Sequence, residues 1–99
     1  MTKREEIFEL LKNNAMSAQQ IAFYFKCPIE DIEQDLHHLA KSVRPAYELR
    51  MFPAHCESCE FVFKERSKIR KPSKCPKCRN ERIIPPLFKI EPLGKKKKL

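Results

Sequence analysis

Cys56-Glu57-Ser58-Cys59 and Cys75-Pro76-Lys77-Cys78 are two Cys-x-x-Cys knuckles, separated by the fifteen residues Glu60 to Lys74. This spacing is the signature of a tetrahedral metal site with four thiolate ligands, for which zinc is the first choice. Two thiolates three positions apart in a tight turn grip one side of an ion. A hairpin of this length can bring the second pair to the other side. Four thiolates fill the coordination sphere of Zn2+, so no position is left for a catalytic water. Iron is the alternative ion for the same ligands.

Working outward, the chain has 99 residues and 41% hydrophobic content, enough for one modest core. A second small lobe needs a staple, and one structural zinc provides it. Five cysteines is an odd count, which argues against a closed set of disulfides. The N-terminus has no apolar signal region, and no run of apolar residues is long enough to span a membrane. A reducing, cytoplasmic setting is expected, where such cysteine pairs read as metal ligands.

The net charge is +8 and unevenly placed. Residues 1–42 carry five basic and seven acidic groups, net −2; residues 43–99 carry sixteen and six, net +10. Zinc bound to four thiolates adds −2 to the second part and leaves the asymmetry in place. A polyanionic partner should meet the second part.

Before the cysteines, the periodicity predicts three helices. Ile7, Leu10 and Leu11 share a face in the first. Ser17 and Gln20 form a capping box that opens the second. Pro28 suits the start of the third, whose apolar positions Ile29, Ile32, Leu36, Leu39 and Val43 advance by three or four residues. Two helices joined by a tight turn outline a helix-turn-helix. Tyr47 to Phe52 then reads as a strand, Phe61 to Phe63 and Ile83-Ile84 as short strands, and Leu87 to Ile90 as the last strand. Pairing of the first and last strands would make a hairpin wing on the three helices. The expected fold is therefore α+β: a winged helix-turn-helix with a four-cysteine zinc ribbon inserted in the wing. The divisions are 1–54 for the helical body with its first wing strand, 55–84 for the ribbon, 85–93 for the second wing strand and 94–99 for a basic disordered tail.

The sequence resembles small archaeal predicted transcriptional regulators that fuse a winged helix-turn-helix to a rubredoxin-like zinc ribbon. The resemblance covers nearly the whole chain. It is carried by Ile32 to Ser42, by Cys56-x-x-Cys59 with Phe61-Val62-Phe63, by Pro72 to Cys78, and by Pro85-Pro86-Leu87-Phe88-Lys89-Ile90. It implies zinc at Cys56, Cys59, Cys75 and Cys78 and a DNA-binding role in transcription. In one respect the chain departs from the pattern. Such knuckles usually place Gly after the second Cys, where positive φ is convenient. Here Glu60 and Arg79 stand there, and Gly94 is the only glycine.

For nucleic-acid contact, Gln34, His38 and Lys41 on the third helix can reach bases or phosphates. The acids Glu30, Asp31, Glu33 and Asp35, read as outward-facing, oppose phosphate there, so a solvated face or a protein-binding face competes with base reading. Lys64, Arg66, Lys68, Arg70, Lys71, Lys74, Lys77, Arg79 and Arg82 form a basic stretch, opposed only by Glu65 and Glu81, that reads as a phosphate-contacting wing held away from the acidic body, with the first six as its contact residues; a merely solubilising surface is the competing reading. Cys27 reads as a buried or capping residue, His55 as a minor substitute ligand, and Phe61 and Phe63 as shields of the metal. The expected function is a DNA-binding transcriptional regulator that binds duplex DNA. The alternative is a protein-interaction adaptor in the transcription or RNA-processing machinery, docking through the acidic third helix. An iron electron carrier is a third reading. No membrane partner, small-molecule substrate or enzymatic constellation is evident.

Overall fold

The computed structural model describes residues 2–63, 69 and 71–93. Lys64, Arg66, Lys68 and Arg70 of the expected basic loop, and the Lys95–Lys98 tail, lie outside the described residues.

Helix α1 spans Lys3–Asn13, α2 Ala18–Phe25 and α3 Ile29–Ser42. The expected capping box holds α2: Gln20 N–H donates to Ser17 Oγ at 3.1 Å, and Ser17 N–H donates to Gln20 Oε1 at 2.9 Å. A second box, not anticipated, opens α1 through Thr2 and Glu5. Each satisfies two otherwise orphaned backbone donors. Lys26 ends α2 in the left-handed conformation, with φ 55°. Pro28 is the N-cap of α3, one position ahead of the first helical residue it was expected to fill. Among the described residues no helix is long and apolar enough to cross a membrane.

Strand β1, Tyr47–Phe52, pairs antiparallel with β4, Leu87–Pro92, from Tyr47 opposite Pro92 to Phe52 opposite Leu87. A shorter ladder joins β2, His55–Cys56, to β3, Ile83–Ile84. The two ladders keep one register. Continuing the first by its own spacing places His55 opposite Ile84, as observed. Only the rungs of Pro53-Ala54 and Pro85-Pro86 interrupt it, where three prolines offer no N–H donor. The cysteine segment is thus carried at the end of one long two-stranded ribbon. Of the expected strand Phe61–Phe63, only Val62 forms a bridge, to His55.

A further rung was not legible in the sequence. Met16, between α1 and α2, exchanges both backbone hydrogen bonds with Phe88 of β4, at 3.0 and 2.7 Å. This makes β4 central, with Met16 on one side and β1 on the other.

The main core gathers Ile7 and Leu11 of α1, Ile21 and Ala22 of α2, Ile32, Leu36 and Leu39 of α3, and Phe88 and Ile90 of β4. The ribbon has a separate small cluster: Ala54, Cys56, Cys75 and Ile83, with Cys59, Phe61 and Phe63 packed against it. Ile69, in the segment between the knuckles, packs against the main core. At Ile69, the one described residue of 64–70, the segment meets the body, where the loop was expected to be held away from it. The reason is that Ile69 is an aliphatic side chain among cations, and burial on the core is its favourable place.

Candidate metal centre and nucleic-acid face

The two knuckles repeat one backbone pattern. In the first, Glu60 N–H donates to Cys56 O (2.9 Å) and Cys56 N–H to Phe61 O (2.8 Å). In the second, Arg79 N–H donates to Cys75 O (2.8 Å) and Cys75 N–H to Asn80 O (3.0 Å). Glu60 and Arg79 are left-handed, with φ 65° and 63°. The glycine-favouring geometry is kept without glycine, at a cost of about 1 kcal/mol per position.

This backbone brings the four thiols together: their sulfurs all lie within 4.8 Å of one another. Across the knuckles, Cys56 Sγ is 3.6 Å from Cys78 Sγ and Cys59 Sγ is 3.7 Å from Cys75 Sγ. Four sulfurs at about 2.3 Å from a central zinc would stand about 3.8 Å apart, so the donor set fits a tetrahedral ion. Lys77 and Cys78 N–H groups point at Cys75 Sγ, at 3.4 and 3.5 Å. Phe61 and Phe63 meet edge to face at 5.1 Å beside the cluster, consistent with the expected shielding role. His55 is outside the quartet, engaged in β2.

The thiols are unequal without metal. At Cys75, burial acts upward, but the Cys78 and Lys77 amides and the neighbouring thiols bring the pKa down to about 7. Cys56 is lowered, chiefly by the Cys59 amide, against burial. Cys78 gains support for its anion from the Asn80 amide, yet burial and its three thiol neighbours push it up to about 12. Four adjacent thiolates cannot all ionise without a cation among them, and zinc supplies it.

The PF0610-like N-terminal family profile matches residues 2–50, and that of the PF0610 rubredoxin-like zinc beta-ribbon domain matches residues 53–93. The solution NMR structure of protein PF0610 from Pyrococcus furiosus is 36% identical, with a TM-score of 0.69, over 90% of this chain and 88% of that one. The chain belongs to the PF0610-like family. No curated protein matches it. The zinc is structural: the four cysteines fill its coordination, and the ribbon's small cluster is built around them.

Outside the metal, the expected contact residues separate. Gln34, His38 and Lys41 are exposed on α3, spaced four and three residues apart along one stripe. Asp35 does not share that face. It is 7% exposed, with its carboxylate 3.0 Å from Lys3 Nζ and 3.2 Å from Arg4 Nε. Hydrogen bonding to Asp35 raises the Lys3 pKa, against the effect of burial. Reading Asp35 as outward-facing is therefore corrected. Its spacing from Ile32 and Leu39, three and four residues, already places it on the core side. Lys71 and Lys74 are exposed, and so are Lys77, Arg79 and Arg82 beyond them. Cys27 is half-buried against the main core, as expected.

Proposed function

We propose that this protein is a DNA-binding transcriptional regulator, built on a winged helix-turn-helix whose wing is prolonged into the zinc ribbon. The observation that carries this reading is the continuous register of β1–β2 with β3–β4, joined to the Met16 rung. Helix, one strand position, helix, tight turn, helix and a hairpin wing is the order a winged helix requires. The stripe of Gln34, His38 and Lys41 on α3 would face the bases. With Asp35 drawn into its ion pairs, that stripe meets less carboxylate repulsion than the sequence implied. The cytoplasm suits thiolates that must stay reduced. A closed four-thiolate site offers no metal-bound water, so we propose no enzymatic activity.

The adaptor reading is favoured by a different observation: Phe23 is 85% exposed and Tyr24 59% exposed, side by side on α2. Adjacent exposed aromatics of this size mark surfaces that meet other proteins. Selection from random duplex DNA, repeated across a salt titration, tests the two. An enriched motif with affinity falling steeply in salt supports the regulator. Sequence-indifferent or absent binding, with a stoichiometric protein partner, supports the adaptor.

A further inference from the structure

The two knuckles share a backbone but carry opposite charge. The first exposes Glu57 and Glu60. The second exposes Lys74, Lys77, Arg79 and Arg82, with Lys71 just before it and Glu81 its only acid. The shared backbone brings the four sulfurs together and leaves the side chains that point away from them free to differ.

These cations also differ from the paired cations of the body. Lys3 and Arg4 are paired with Asp35, Lys12 with Glu9, and Arg50 with Glu48 and Glu91. Among the described residues, none of the five ribbon cations has a carboxylate partner. Unpaired cations keep their counterions until a polyanion displaces them, and that release drives binding to phosphate.

The strip is also held in place. Ile69 anchors its start on the main core, Pro72 is buried, and Cys75 and Cys78 tie its middle to the zinc site. Asn80 Oδ1 accepts from Arg82 N–H at 2.7 Å and fixes the turn that follows. A backbone fixed in this way loses little entropy on binding.

We propose that the second knuckle, Lys74 to Arg82 with Lys71, is a preorganised surface that grips the phosphate backbone of a duplex nucleic acid, while the acidic first knuckle faces away from it. This rests on the nucleic-acid reading above and deepens it. It centres the contact on the metal-braced turn, where Lys77, Arg79 and Arg82, the end of the basic stretch, meet phosphate directly.

The test uses the full zinc-loaded chain with duplex DNA and duplex RNA of one sequence as probes. It compares K77E/R79E with E57K/E60K, after zinc content and amide spectra establish that both variants are folded. Losing two phosphate contacts should weaken binding more than about tenfold at moderate salt and reduce the salt slope by about 2. E57K/E60K, of opposite charge change, should give a much smaller gain. If wild type and K77E/R79E bind DNA with equal affinity and slope, the inference is overturned and the regulator reading stands. Symmetric loss and gain would also overturn it, because that is the signature of net charge alone. Binding to RNA but not DNA, abolished in K77E/R79E, supports the inference and sinks the regulator. No binding of wild type to either probe sinks both.

Discussion

The helical body and the zinc ribbon are held together by different forces. The body buries Ile7, Leu11, Ile21, Ile32, Leu36 and Ile90 almost completely and needs no metal. In the ribbon, the buried cluster is Ala54, Ile83 and two of the ligands themselves. Apolar burial contributes stability in proportion to area, and the ribbon's area is too small to hold a fold against chain entropy. The ribbon's stability is therefore metal affinity in another form, while the body's is core packing. The three prolines at the junction support this division. They remove the ladder hydrogen bonds through which disorder in one part would spread to the other.

The strongest way to break the comparison is to remove the zinc. Structural zinc contributes on the order of 10 kcal/mol in isolated finger peptides. Chelation, or Cys56→Ser, should unfold residues 55–84 while body amides keep their dispersion and slow exchange. The pH dependence follows from the thiols. Zinc binding must displace the proton of Cys78, whose metal-free pKa is about 12, so affinity falls as pH falls. Cys75, lowered to about 7, favours the fold above its ordinary thiol value and loses that contribution as pH drops through 7. Acid should thus release metal and ribbon structure together, read by a zinc-sensitive dye and by amide spectra. Loss of the body signals at the same point would show one cooperative unit instead of two.

Next in size is a core truncation in the body. Leu36 is 1% exposed, between α1, α2 and the sheet. Leu36→Ala should cost about 3 kcal/mol, through lost transfer energy and the cavity left behind. Denaturant melts should show it, with zinc content unchanged. If Leu36→Ala also released zinc under native conditions, the two regions would be coupled, with Ile69, which packs against the main core from between the knuckles, as the candidate link.

Much of this division was legible in the sequence. The α3 repeat from Ile29 to Val43, the Ser17–Gln20 box and the cysteine quartet each repeat a pattern with a physical cause, and each is found where expected. Strands β1 and β4 were visible because six residues suffice to show a strand pattern. What escaped was short or depended on a partner. Met16 contributes a single rung, too short for any periodicity. Strand β2 has two residues, one of them a ligand, so its pairing was hidden behind its metal role. Asp35 was judged by its charge rather than its position, although Lys3 and Arg4 could have signalled its partner. Ile69 stood alone in a basic stretch, and only tertiary packing reveals what it touches.

The smallest effect compares the left-handed residues of the two regions. Glu60 and Arg79 in the ribbon and Lys26 in the body have φ of 65°, 63° and 55°. A side chain with a Cβ costs about 1 kcal/mol or more there, whereas glycine is unstrained but has more unfolded-state entropy to lose. The net gain from Glu60→Gly, Arg79→Gly or Lys26→Gly should be at most about 1 kcal/mol, a rise of a few degrees in Tm for a chain of this size. Lys26→Gly should stabilise the body and leave zinc affinity alone, because it lies at a helix end. Glu60→Gly and Arg79→Gly should appear instead as slower zinc release, because ribbon stability is read through the metal. Arg79→Gly should at the same time weaken nucleic-acid binding, which Glu60→Gly should not. Zinc release that does not slow in either ribbon variant would mean that the metal, rather than the residue type, fixes the knuckle backbone.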